Sequence, residues 1–117
     1  MAEGLRALLV PADPDQKISL VTVKNEWGSL ARAVGAEYFE RVTVTKTMKL
    51  VVDESGRLNG SFVNYAVSGY FYPGIICGDV LVLSEEYTDE GPDFCSLTDE
   101  DLSEACARLG IEVPEGD

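Results

Sequence analysis

Apolar side chains along this chain fall into short runs and alternations that are separated by turn-forming residues. A run from Leu5 to Val10 ends at Pro11. In the β-branched stretch from Lys17 to Lys24, the alternation of Ile18 and Leu20 passes into that of Val21 and Val23. Both patterns are typical of strands, and the linker between them, rich in proline and aspartate, predicts a hairpin. Residues that favour strands also dominate three later segments, Tyr38 to Thr45, Met48 to Val52 and Val80 to Leu83.

Two segments change to helical spacing. Trp27, Leu30, Ala31 and Val34 form one apolar stripe, which predicts a short helix that Asn25 caps and Gly35 ends. A second helix is predicted from Thr98, because Asp101 stands three residues on as in a capping box. Its apolar stripe is followed by a glycine suited to a left-handed stop, and the residues are Leu102, Ala105, Cys106, Leu109 and Gly110.

The connections complete the predicted architecture. Turns are expected at Asp53 to Gly56 and at Asn59-Gly60, a short helix from Asn64, and an acidic loop from Glu85 to Asp93. We therefore predict a single α+β domain over residues 1–117. It has an antiparallel or mixed sheet of about five strands, one short internal helix near residues 26–34 and a C-terminal helix near residues 98–109.

Charge divides the chain unevenly. The net charge is −12, yet residues 1–84, the sheet-rich body, carry nine acidic and eight basic side chains. Residues 85–117, the acidic loop and C-terminal helix, carry twelve acidic side chains and one basic side chain. Direct nucleic-acid binding is disfavoured, because it needs cations that displace counterions from phosphates. The acidic segment either docks a basic protein partner or keeps the chain soluble, and its candidate docking residues are Glu85, Glu86, Asp89, Glu90, Asp93, Asp99, Glu100 and Asp101.

Composition also argues against most catalytic chemistry. The chain has no histidine, which excludes Ser-His-Asp and Cys-His nucleophiles and His-ligated metals. Cys77, Cys95 and Cys106 fit neither a disulfide framework nor a paired metal motif, and no phosphate-binding glycine motif occurs. We expect no catalytic residue, metal or cofactor, and therefore not an enzyme. Without a secretion signal or a membrane-spanning run, a cytoplasmic location is expected.

The loop from Arg57 to Tyr72, which we call the Asn/Tyr loop, is the strongest candidate for function. Its asparagines offer paired donors and acceptors, and its tyrosines supply the flat amphipathic area that anchors interfaces. The alternative interpretation is that the asparagines form turns and the aromatic rings complete a small core. The candidate contact residues are Arg57, Asn59, Asn64, Tyr65, Tyr70 and Tyr72.

Several of these features together resemble a known but uncharacterised family. They are the opening from Ala7 to Asp13, the turn from Val51 to Gly60, Asn64 and the strand from Gly78 to Leu83, with a DE-x-G-x-L-x-G…N…I-x-G-D-V pattern. The chain is similar to a family of small acidic proteins that is classified as a domain of unknown function. These proteins are common in bacteriophages and plasmids of actinobacteria and related hosts. Members commonly carry a proline where this chain has Ser61, Phe62 and Val63. The resemblance implies a phage or plasmid setting in a bacterial cytoplasm and no particular activity.

We therefore expect a non-catalytic binding protein, a phage or mobile-element accessory factor that engages a host or defence component. Two other hypotheses remain open. One is an acidic DNA mimic that inhibits restriction or CRISPR-type machinery, which would need carboxylates spread over an extended face. The other is a protein that sequesters a small ligand in the Asn/Tyr loop.

Overall fold

A computed structural model describes residues 4–56 and 61–115. These residues form a single small α+β domain of six strands and two helices. In chain order they are β1 (Gly4–Val10), β2 (Ser19–Lys24), α1 (Trp27–Ala33), β3 (Phe39–Thr43), β4 (Met48–Asp53), β5 (Val80–Thr88), β6 (Gly91–Cys95) and α2 (Asp99–Leu109). The predicted fold class and both helices are confirmed, while the sheet is wholly antiparallel and has one strand more than expected.

The sheet has the order β2-β1-β5-β4-β3, so β5 lies at its centre. The first half of β5 pairs with both neighbours, since Val82 lies opposite Leu8 of β1 and Leu50 of β4. Its second half, from Ser84 to Thr88, pairs with β6 in a hairpin. One long strand therefore belongs both to the core of the sheet and to a hairpin at its end.

Burial on both faces of the sheet explains why the central strands are continuous apolar runs. Alternate residues of a strand face opposite sides. One side of the sheet packs on α2 and on residues 61–79, and its buried strand residues are Leu8, Val10, Met48, Leu50, Val52, Val80 and Val82. The other side packs on α1 and Phe94, and its buried strand residues are Ala7, Val51, Leu81 and Leu83. We call these sides the α2 face and the α1 face.

Both helices are followed by the predicted glycine, but only α2 begins with the predicted cap. Thr98 caps α2 by accepting a hydrogen bond at Oγ1 from the Asp101 N–H at 3.1 Å, and Gly110 ends it with φ +72°. Gly35, with φ +69°, follows α1. The predicted Asn25 cap is wrong, because the N-cap of α1 is Glu26, which makes no side-chain capping bond.

Two predicted connections also differ from the structure. Instead of a helix, Asn64 begins a single turn in which the Ser68 N–H donates to the Asn64 carbonyl at 3.1 Å. The segment from Glu85 to Asp93 is a hairpin and not a loop, with Thr88 opposite Gly91 across a two-residue connection. Neither of the two described helices is long and apolar enough to cross a membrane.

Candidate binding surface

The segment from residue 61 to residue 79, which we call the aromatic loop, crosses the α2 face without regular structure. Asn64 fixes it there and is fully buried. Its N–H donates to the Ile76 carbonyl at 2.8 Å, and its Nδ2 donates to the carbonyls of Val10 at 2.9 Å and Gly78 at 3.0 Å. Asn64 therefore cannot touch a partner, and its predicted role as a contact residue is replaced by that of an anchor.

The aromatic side chains of this loop divide between core and surface. Phe71 is fully buried, and the Arg108 guanidinium donates to its carbonyl at 3.0 Å. Tyr72 is half-buried and packs against the core of the α2 face. Tyr65 and Tyr70 are each 83% exposed. Each interpretation of the sequence therefore holds for part of the loop. Phe71 and Tyr72 complete the core, whereas Tyr65 and Tyr70 face solvent.

Phe62 is an exposed ring of the loop that was absent from the predicted contact residues. Its side chain is 82% exposed. Together with Tyr65 it lines a groove of about 630 Å³, whose opposite wall comes from Ala12, Asp13 and Pro14 of the β1–β2 connection. A large apolar residue among the polar residues of a loop is the sequence signal that could have identified it. Arg57 and Asn59 lie outside the described residues.

The predicted acidic docking residues also divide. Glu86, Asp89, Glu90, Asp93, Asp99 and Glu100 are exposed. Asp99 bonds Arg6 at 2.9 Å, and Asp93 accepts a hydrogen bond from Asn25 Nδ2 at 3.2 Å. This bond occupies the Asn25 side chain that was expected to cap α1. It ties the hairpin to the end of β2.

Glu85 and Asp101 are structural. Glu85 bonds Arg41 at 2.5 Å and lies 3.7 Å from Nζ of Lys49, a buried lysine whose ammonium also donates to two backbone carbonyls. Asp101 is buried and accepts hydrogen bonds from Thr47 Oγ1 at 3.0 Å and Ser84 Oγ at 2.6 Å. Their predicted role as docking residues is corrected, because both carboxylates are already engaged inside the fold.

Two of the three cysteines have a raised pKa. Cys77, Cys95 and Cys106 are free thiols. Burial raises the pKa of Cys106, and burial together with the carboxylates of Glu86, Asp101, Asp93 and Glu85 raises the pKa of Cys95. A raised pKa leaves less of the nucleophilic thiolate at neutral pH. Over residues 4–56 and 61–115, no three Cys, Asp or Glu side chains converge as metal ligands.

Comparison with known proteins places this α+β domain in a family without assigning it an activity. The model of the domain of unknown function DUF3846 matches residues 6–110, and the chain belongs to that family. No curated protein matches the chain. Among solved structures it is similar to part of the small RNA methyltransferase HEN1, with a TM-score of 0.67 and 15% identity over 94% of this chain. The chain spans only 16% of that protein, and the likeness concerns the fold alone.

Proposed function

We propose that this chain is a non-catalytic binding protein that engages a protein partner through the exposed rings of the aromatic loop. The observation that carries the proposal is the exposure of Phe62, Tyr65 and Tyr70, each above 80%, on a loop whose backbone is held by buried Asn64. Aromatic rings supply most of the energy of many interfaces. A loop that is already ordered loses little conformational entropy on binding.

Charge supports a basic partner. The exposed carboxylates of the β5–β6 hairpin and of the first turn of α2 give that end of the molecule a negative field. Such a field accelerates encounter with a basic surface and makes the association rate depend on salt. In the phage or mobile-element setting that the family resemblance suggests, we propose a host or defence protein as the partner, with the chain acting in the cytoplasm as an accessory factor.

The test is to capture a partner from bacterial lysate with tagged protein, purify it and measure its affinity by calorimetry. We expect the double variant Tyr65→Ala/Tyr70→Ala to bind at least about tenfold more weakly, since exposed aromatic anchors contribute about 1–2 kcal/mol or more each. Tyr87→Ala is the matched control, because Tyr87 is also 83% exposed but lies in the hairpin. Equal affinity of the double variant and the wild type would contradict the proposal.

A further inference from the structure

A second feature, separate from the aromatic rings, lies at the outer edge of β3. The Tyr38 carbonyl accepts from the Glu54 N–H, and the Val44 N–H donates to the Met48 carbonyl, both at 3.0 Å. In antiparallel pairing, alternate residues bond to the same neighbour. The backbone groups of Phe39, Arg41 and Thr43 therefore point away from β4. Since β3 is the last strand in the sheet order, these groups have no backbone partner among the described residues.

A cleft of about 230 Å³ adjoins this edge on the α2 face, and we call it the β3 cleft. It lies between the strand pair β3–β4 and the end of the aromatic loop. Val42 and Tyr72 pack against the core at its base, while Ile75 is 57% exposed at its rim. The residues that line it include Glu40, Val42, Val52, Glu54, Tyr72 and Ile75.

The charges of the β3 cleft are not balanced. Glu40 lies opposite Val52 in the β3–β4 pair. Glu54 is two residues beyond Val52 and therefore lies on the same face of the sheet as Val52 and Glu40. Both carboxylates are exposed and neither forms an ion pair with a residue that the structure describes. No lysine or arginine is among the described residues that line the cleft. Arg41, next to Glu40, is turned to the other face, where it bonds Glu85 and lies 4.4 Å from the Phe94 ring centroid.

We infer that the β3 edge and the β3 cleft together bind an extended, arginine-bearing segment of a protein partner by strand addition. An added strand would bond the outward N–H and C=O groups of Phe39, Arg41 and Thr43. Its side chain opposite Glu40 would project on the α2 face, at the mouth of the cleft. There an arginine meets two carboxylates and the Tyr72 ring, which attracts a guanidinium through its face. This surface goes beyond the proposed function, because it uses neither Phe62, Tyr65 nor Tyr70.

The test uses defined peptides and isotope-labelled protein. A capped seven-residue peptide that alternates valine and threonine around a central arginine is titrated in, and backbone amide shifts are followed by NMR. We expect saturable shifts at Phe39, Arg41 and Thr43, and weaker binding by about tenfold or more for the matched peptide with a central glutamate. Shifts confined to other parts of the molecule, or none up to about 5 mM peptide, would overturn the inference.

Four variants distinguish the carboxylates of the β3 cleft, the backbone of the β3 edge and the exposed rings of the aromatic loop. Glu40→Gln/Glu54→Gln should weaken the arginine peptide about tenfold, whereas Glu86→Gln/Glu90→Gln, with the same change of charge on the hairpin, should not. Thr43→Pro removes one outward N–H from an edge position that tolerates proline, and should abolish binding without unfolding the sheet. Equal effects of the two glutamine pairs, or full binding by Thr43→Pro, would refute strand addition here. Tyr65→Ala/Tyr70→Ala should leave peptide binding unchanged, so failure of the aromatic surface would be recognised separately.

Discussion

At the scale of single residues, the amide of Asn64 shows how a polar side chain can organise a loop from inside the core. Its Nδ2 satisfies two backbone carbonyls from different parts of the chain, Val10 at the end of β1 and Gly78 just before β5. The orientation of the amide is fixed, because exchanging oxygen and nitrogen would place Oδ1 against both carbonyls. Asn64 thus ties the aromatic loop to the end of β1, in addition to the packing of Phe71 against the core of the α2 face.

We predict that Asn64→Ala lowers the free energy of unfolding by about 2–3 kcal/mol, because the Val10 carbonyl, which is buried, and the Gly78 carbonyl, which is partly buried, lose their donor. Urea unfolding would show this as a lower midpoint with an unchanged slope. The adjacent Tyr65→Ala removes a side chain that is 83% exposed and should change stability by less than about 0.5 kcal/mol. Similar losses from both variants would argue against the anchoring role of Asn64.

Cys95 provides a second test at this scale. Since burial and four carboxylates raise its pKa, less thiolate is present at a given pH than in a free thiol. We predict that iodoacetamide alkylates Cys95 more slowly than glutathione at about pH 8, and that the difference narrows as the pH rises through the raised pKa. Peptide-resolved mass spectrometry measures the rate for each cysteine. Faster alkylation of Cys95 than of glutathione would contradict this assignment.

At the scale of elements, Asp101 joins α2 to the sheet. Its carboxylate accepts hydroxyl hydrogen bonds from Thr47, just before β4, and from Ser84 in β5. Ser84 Oγ in turn accepts from the Thr98 N–H at 3.1 Å, so the start of α2 is bound to the sheet twice. The first turn of α2 carries three acidic residues, of which Asp101 is the buried one.

We predict that Asp101→Ala lowers the free energy of unfolding by about 2–3 kcal/mol, because hydrogen bonds to an ionised acceptor are lost inside the fold. Glu100→Ala is the matched control: it removes an exposed carboxylate from the same turn and should cost about 0.5 kcal/mol. Thermal or urea unfolding of the two variants measures the difference. If both substitutions cost the same, the hydroxyl bonds of Asp101 contribute nothing to stability.

The elements also show what local sequence can and cannot predict. Val80 to Leu83 is recognisable as a buried strand, and Thr98 and Gly110 as helix ends, because each signal is complete within a few residues. The continuation of β5 through Glu85 and Tyr87 cannot be recognised from local sequence. Its charged residues favour a loop, whereas pairing with β6 makes the segment a strand. The available signal was Asp89-Glu90-Gly91, a turn whose glycine has φ +108°.

The candidate site was predictable to a similar extent. Its location in the aromatic loop could be inferred from composition, but exposure depends on how the chain crosses the α2 face. Tyr70 and Phe71 are neighbours, yet one is 83% exposed and the other fully buried. The β3 cleft could not be inferred at all, because Glu40, Glu54 and Tyr72 come together only through strand register and the path of the loop.

At the scale of the whole molecule, the net charge of −12 opposes the folded state through repulsion among carboxylates. A few ion pairs act in the opposite direction, of which Arg41–Glu85–Lys49 is the best buried. Repulsion is spread over many exposed groups and is screened by salt, whereas buried pairs are screened much less. Added salt should therefore weaken the repulsion among exposed carboxylates more than it weakens the attraction within the ion pairs.

We predict that raising NaCl from about 10 mM to about 1 M increases the midpoint of thermal unfolding by about 4 °C, equal to about 1 kcal/mol. Calorimetry at several salt concentrations measures this dependence. A variant that carries Glu86→Gln and Glu90→Gln should begin with a higher midpoint at low salt and gain less from added salt. A midpoint that falls with salt would mean that ion pairs outweigh repulsion.

The continuity of β5 has a mechanical consequence. Force applied to the tip at Asp89 and Glu90 would run along the central strand, because residues Val80 to Thr88 form one uninterrupted element. The hydrogen bonds to β1 and β4 lie across that direction and would have to slide together rather than open in succession. A load on the acidic tip would thus be resisted by the pairings of β5 with β1 and with β4 at the same time.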